Sequence, residues 1–249
     1  MSGHSKWSSI KHKKAANDSK RGKIFTKLIK EITIAAREGG PDPAGNPRLR
    51  TAIANAKGQS MPNDNIDRAI KKGSGQLEGE TYEEIVYEGY GAGGMAIIVE
   101  SLTDNKKRTV ADVRHLFAKH GGNLGETNSV QWMFDRLGQI RVAGEATSEE
   151  KLFEAAVEAG ADDVAADDDG FLVTTALESM EDVRGALEEA GFTIEQAELA
   201  YVAKNTVALA GADAAKALKL LDALEDHDDV QNVSANCDID EEELSRLSA

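Results

Sequence analysis

Apolar residues recur at helical period from the early twenties of the chain. Ile24, Leu28, Ile32 and Ala35 fall at i, i+4, i+8 and i+11 and share one face, which predicts an amphipathic helix over 22–38. Gly39-Gly40-Pro41 ends it. A second helix is predicted after Asn46, with Pro47 at its first position and Leu49, Ile53 and Ala56 inward. A third covers 62–72, with Ile66, Ala69 and Ile70 inward, and closes at Lys71-Lys72-Gly73. Residues 74–81 read as a linker.

The period then falls to two. Ile85, Tyr87 and Gly89 begin a strand, residues 95–102 make a second, and the glycine-rich stretch between them is a hairpin connection. Residues 109–120 form a helix with Val110, Val113, Leu116 and Phe117 on one face, stopped by Gly121-Gly122. A third strand is expected over 129–135. From 138 the order is strand (139–143), helix (148–159), strand (162–166), strand (171–175), helix (179–190), strand (193–200), the β-α-β-β-α-β pattern of a split βαβ fold. Residues 203–239 give strand, helix (213–225) and strand, which alone make half a domain. The expected fold class is therefore α+β: an N-terminal three-helix basic domain followed by two ferredoxin-like α/β sandwich domains, one inserted in the other. The expected boundaries are 1–75, 82–136 plus 203–243, and 138–202. A plain sequential three-domain chain is the alternative arrangement.

Charge changes the picture most. Residues 1–75 carry 16 Lys and Arg against 6 Asp and Glu, net +10, while the remaining 174 residues carry 13 against 38, net −25. A whole-chain net charge of −15 thus conceals a basic module joined to an acidic body. The basic end should seek a polyanion, and the phosphate backbone is the commonest one. At 41% hydrophobic and 5% aromatic, the cores must be built on Ala, Leu, Ile and Val. No 18-residue apolar run predicts a membrane span and no signal-peptide segment opens the chain, so a cytoplasmic protein is expected. The single cysteine, Cys237, excludes an internal disulfide and a Cys-based zinc cluster.

The candidate nucleic-acid-binding residues are His4, Lys6, Trp7, Lys11, His12, Lys13, Lys14, Lys20, Arg21, Lys23, Lys27 and Lys30, with Arg37 continuing the series. Lysine and arginine neutralise phosphates, and Trp7 and His12 could stack on exposed bases. A solvated basic tail is the bland alternative. The interleaving of Trp, His and small residues among the lysines argues against it. A helix-turn-helix reading is weak, since no short turn joins a support helix to a recognition helix. Glycines at 89–94 pass from strand to strand, whereas a dinucleotide loop passes from strand to helix. Asp167-Asp168-Asp169-Gly170 reads as a turn, and Asp226, His227, Asp228 and Asp229 as a polar loop. There is no nucleophile elbow, Walker sequence or His-x-x-x-His helix, so no catalytic residue is expected. No metal, cofactor, membrane or small-molecule substrate is expected either.

Several long motifs then carry a resemblance over essentially the whole chain. Gly3-His-Ser-Lys-Trp-Ser-Ser-Ile-Lys-His-Lys-Lys-Ala15, Lys20-Arg-Gly-Lys-Ile-Phe-Thr-Lys27, Met61-Pro-Asn-Asp-Asn-Ile66 and Arg68-Ala-Ile-Lys-Lys-Gly73 resemble the YebC family. So do Tyr87-Glu-Gly-Tyr-Gly91, Thr103-Asp-Asn-Lys-Lys-Arg-Thr109 and Gly121-Gly-Asn-Leu-Gly125. Lys107, where the family commonly has Asn, and the aromatic-poor stretch Asn232-Val-Ser-Ala-Asn-Cys-Asp-Ile239 depart from the pattern. The resemblance implies three domains and a non-enzymatic cytoplasmic regulator of gene expression, described as a probable DNA-binding transcriptional regulator. The alternative it implies is a ribosome-associated translation factor that binds ribosomal RNA or tRNA and relieves stalling on proline-rich sequences. Mitochondrial relatives are translational activators of cytochrome c oxidase subunit synthesis. In either case the partner is nucleic acid, DNA or RNA, held through residues 1–37.

Overall fold

The computed structural model describes residues 18–145, 147–167 and 170–248. Its contacts divide into two compact units. One holds the start of the first helix up to Lys27, Glu80–Asp135 and residues 201–248; the other holds Leu28–Gly79 and Arg136–Ala200. The class is α+β, with N-terminal helices followed by two antiparallel sheets.

Helices α1 (Asp18–Gly39), α2 (Pro47–Gly58) and α3 (Asn63–Gly73) come first. Asn46 makes the first corner. Its Oδ1 accepts the Leu49 backbone N–H at 3.1 Å, and its Nδ2 donates to the carbonyls of Ala35 and Gly40, each at 2.8 Å. One buried side chain thus satisfies orphan groups at the end of α1 and the start of α2. Gly40 takes the left-handed turn, at φ +87°. Helix α3 closes on α1 through Gly73, where a Cβ would stand 2.2 Å from the Thr33 carbonyl oxygen.

The first sheet begins with β1 (Glu83–Tyr90) and β2 (Ala96–Thr103), an antiparallel hairpin, followed by α4 (Lys106–Lys119) and the short β3 (Asn123–Leu124). Then come β4 (Phe134–Ala143), α5 (Glu149–Glu158), β5 (Asp163–Asp167), β6 (Gly170–Thr175), α6 (Met180–Glu189) and β7 (Ile194–Ala203). The chain finishes through β8 (Val207–Leu209), α7 (Gly211–Glu225), β9 (Val230–Ala235), β10 (Cys237–Ile239) and α8 (Glu241–Ser248). The sheets run in the orders β3-β1-β2-β9 and β5-β6-β4-β7, with a small parallel pair β10-β8. The second is the arrangement expected of β-α-β-β-α-β.

In the first sheet, Ile97 and Val99 of β2 bury against Val113 and Phe117 of α4 and Leu220, Leu221 and Leu224 of α7. The alternate residues Ala96 and Ile98 face Val130, Phe134 and Tyr201. Period two along β2 thus supplies apolar groups to two cores at once. In the other unit, α2 brackets the edge strand β7. Asn55 Nδ2 donates to the Ala197 carbonyl at 2.8 Å and Asn55 Oδ1 accepts the Ala197 N–H at 3.1 Å. An amide side chain here takes the place of a neighbouring strand and blunts the edge.

Three local expectations fail, the first being the start of α1, which lies at Asp18 rather than at 22. Residues 129–135 are not one strand: Gln131–Met133 is a 3-10 turn and β4 starts at Phe134. The amides a ladder would need are taken by Glu88. Its buried carboxylate accepts the N–H groups of Asn128 at 2.6 Å and of Val130 and Gln131, both at 2.8 Å. The helix expected from 109 begins at Lys106, because Asn105 Oδ1 caps it by accepting the Arg108 N–H at 3.1 Å. The same motif is tied to the turn before β9. Asp229, itself buried, accepts from Arg108 Nη2 at 2.7 Å and Thr109 Oγ1 at 2.8 Å. Thr103-Asp104-Asn105-Lys106-Lys107-Arg108-Thr109 is thereby a structural joint between α4 and β9.

Cys237 is buried at the start of β10, and burial pushes its thiol up to about 11. At pH 8 only about one molecule in a thousand carries thiolate by this shift. Reaction of the native chain with a disulfide reagent at pH 8 should therefore be slow and should jump when urea unfolds the protein. Equal rates in native and unfolded protein would show that the site opens freely.

Candidate nucleic-acid interface

The expected interface is only partly within the described structure. His4, Lys6, Trp7, Lys11, His12, Lys13 and Lys14 lie outside the described residues. Lys20 and Arg21 occupy the first turn of α1, and only their backbone is described. The three remaining candidates have defined surroundings. Lys23 Nζ donates to the Asp226 carbonyl at 3.0 Å and pairs with Asp226 Oδ2 at 2.9 Å. Lys27 Nζ donates to the Glu225 carbonyl at 2.8 Å. Both ammonium groups sit at the C-terminal end of α7, where orphan carbonyls and the helix dipole favour cations by roughly 0.3–1 kcal/mol each. Lys30 is 7% exposed. The root of the basic segment is therefore tied to the end of α7.

The rest of the basic residues in α2 and α3 fall into two sets. Arg48 is held by Glu31 at 2.8 Å and Glu38 at 2.9 Å. Arg50 lies 3.4 Å from Glu181. Lys57, Arg68 and Lys71 are exposed and Lys72 is half-buried, and among the described residues no carboxylate lies within ion-pair distance of any of the four. The expected site thus gathers its charge at one terminus rather than along a helix held in one orientation.

One basic surface escaped the sequence reading. Lys107, Arg114, His115 and Lys119 are exposed on α4, and Lys216 and Lys219 are exposed on α7. Burial, then the charges of Lys119, Lys219 and His115, hold the His120 imidazole below its usual value, so these groups converge on one place. The signal was present as five Lys and Arg in the fourteen residues of α4. It was hidden because α4 lies in the acidic part of the chain. Among the described residues no group of three His, Cys, Asp or Glu is placed to hold a metal ion, and no helix is long and apolar enough to cross a membrane.

Comparison with known proteins agrees with this architecture along the whole chain. Residues 5–76 match the model of the TACO1/YebC protein N-terminal domain, and residues 82–237 match that of the TACO1/YebC second and third domain. A probable transcriptional regulatory protein of Geobacter sulfurreducens is 58% identical over 247 residues, covering 99% of this chain and 100% of the relative. One of Desulfotalea psychrophila is 57% identical over 249 residues, covering both chains completely. The crystal structure of a conserved hypothetical protein from Aquifex aeolicus superposes with a TM-score of 0.86 at 50% identity, covering 90% of this chain and 93% of that one. By domain content, full-length identity and fold, this chain belongs to the TACO1/YebC family.

Proposed function

We propose that the chain is a non-enzymatic, cytoplasmic regulator of gene expression that holds nucleic acid through its basic N-terminal segment, residues 1–37. The division into domains at 1–75, 82–136 plus 203–243, and 138–202 is part of this reading. The observation that carries it is the segregation of charge: net +10 in the first 75 residues against net −25 in the rest. A phosphate backbone is drawn to the first and repelled by the second, so the bound orientation is set before any base is touched. The names of the relatives, probable transcriptional regulatory proteins, favour DNA as the partner.

A second reading has its own support. Discriminating one promoter requires Arg, Asn or Gln at fixed positions in a groove. The candidate cations are mostly lysines, point charges without the bidentate fork of arginine, and the two in view at the root of α1 hold α7 instead. Such a surface suits a folded RNA, whose shape fixes position and whose unpaired bases can stack on Trp7. A ribosome-associated translation factor is the form this would take. Crosslinking in cells, followed by sequencing of bound DNA and RNA, separates the two. Promoter enrichment is the result for a transcriptional regulator and ribosomal RNA enrichment for a translation factor. Enrichment of neither would contradict both.

A further inference from the structure

We propose that the exposed face of α4, extended by Lys216 and Lys219 of α7, is a second contact for a phosphate backbone, built into the acidic part of the chain. It rests on the reading that the protein binds nucleic acid, and adds a surface which that reading did not include.

The case begins with distribution. Only 13 Lys and Arg follow residue 75, against 38 Asp and Glu. Five of the 13 lie in α4, where Asp112 is the single acid, and two more are Lys216 and Lys219. An ordinary solvated helix face mixes both signs. Here cations predominate: Asp112 is the acid on α4, and on α7 Asp213 stands 3.9 Å from Lys216, in a part of the chain that is otherwise acidic.

Packing then brings the two helices together as antiparallel neighbours. His227 Nε2, just past the end of α7, lies 3.4 Å from Asp112 Oδ2 in the middle of α4. Near the start of α7, the Lys216 side chain passes 3.7 Å from where a Cβ on Gly121 would stand, just past the end of α4. The α7 lysines therefore join Lys119 and His120 where α4 ends. There the partial negative charge of the helix end, about −0.5, draws in the protein's cations, whose summed positive charge outweighs it.

Neutralisation within the protein is selective. Lys106 pairs with Glu83, and Arg108 pairs with Asp104 and Asp229 at 2.7 Å. Among the described residues, no carboxylate lies within ion-pair distance of Lys107, Arg114, Lys119 or Lys219. Between these cations the exposed residues are Ala111, Asp112, His115 and Ala118, and the two alanines leave room for a polymer backbone to approach. The large exposed apolar side chains lie elsewhere, at Leu77, Val86, Trp132, Phe153, Val157 and Leu177. An acidic protein partner would find no apolar anchor on this face. A phosphate backbone requires none.

The test uses the full-length chain and three charge-reversed variants in a salt titration against labelled duplex DNA and a structured RNA. The face variant is Arg114→Glu with Lys119→Glu and Lys219→Glu. The arm variant is Lys11→Glu with Lys13→Glu and Lys14→Glu. A control of equal charge change is Lys151→Glu with Lys204→Glu and Arg246→Glu, all exposed outside both regions. Circular dichroism and thermal melting confirm that each is folded. Loss of three phosphate contacts should make the slope of log K against log salt shallower by about 2–3 and lower affinity about a hundredfold at 0.1 M salt. The face variant should show this loss and the control should not. A face variant that binds like the full chain, or a control that loses as much, overturns the inference while the arm variant still reports on the N-terminal segment. Binding of neither nucleic acid by the unmodified chain would overturn both.

Discussion

Replacing Glu88 by alanine should lower the stability of the first unit by about 4 kcal/mol, as much as truncating a buried core side chain. The carboxylate is 3% exposed and receives three backbone N–H groups, from Asn128, Val130 and Gln131. Hydrogen bonds to an ionised group contribute roughly 1.5–3 kcal/mol each, and a buried donor left without a partner costs about 1–3 kcal/mol. Those costs overlap rather than add, which sets the figure near 4 kcal/mol and makes it a large share of the usual 5–15 kcal/mol of total stability. Glu88→Gln should cost about 2 kcal/mol, because the amide oxygen can keep two donors while its NH2 opposes the third. Trp132 gives the readout. It follows directly on this turn, is 65% exposed, and donates its indole N–H to the Ser129 carbonyl at 3.1 Å. Urea unfolding followed by Trp132 fluorescence in a Trp7→Phe background should shift to lower midpoint in the order alanine below glutamine below wild type. Coincident curves would mean that Val130 and Phe134 hold the turn by packing alone.

The same residues show what the sequence could convey and what it could not. The α1–α2 corner was legible because its determinants are local: Gly39-Gly40-Pro41 ends one helix, and Asn46 with Pro47 starts the next. The β1–β2 hairpin and the β-α-β-β-α-β order were legible from period and turn residues for the same reason. The stretch 129–135 was misread because Val130, Trp132 and Phe134 alternate in type without alternating in a strand. Val130 and Phe134 are buried while Trp132 is exposed, and the backbone pairs with a carboxylate some 40 residues earlier. The start of α4 lies three residues before its apolar pattern because it is set by the polar Asn105 cap. The root of the basic segment was the least legible. Lys23 and Lys27 look like an exposed basic stripe until α7, about 200 residues away in sequence, brings its last carbonyls to them. No local pattern could announce that partner.

Reversing Lys11, Lys13 and Lys14 to glutamate should weaken nucleic-acid binding by two to three decades at 0.1 M salt. Each lysine on a duplex phosphate releases about 0.9 of a counterion, so three contacts are worth close to 2.7 in the logarithm of the constant at that salt. The loss should be similar across DNA sequences, because phosphate contacts position a protein without reading bases. Trp7→Ala should leave the salt slope unchanged and weaken binding to single-stranded and structured RNA more than to duplex DNA, as stacking requires unpaired bases. A loss confined to one DNA sequence would instead point to base reading by these lysines.

The central claim is that affinity for nucleic acid resides in the basic N-terminal segment and is electrostatic. Its most direct test is the salt dependence of duplex binding by the full chain and by a chain lacking residues 1–21, measured by fluorescence anisotropy from 50 to about 300 mM salt. With roughly five phosphates neutralised by the segment, the segment should contribute about −4 to −5 to the full chain's slope of log K against log salt. The shortened chain should bind far more weakly with a clearly shallower slope, while its melting temperature stays close to that of the parent. Equal affinity and equal slope in the two proteins would contradict the claim.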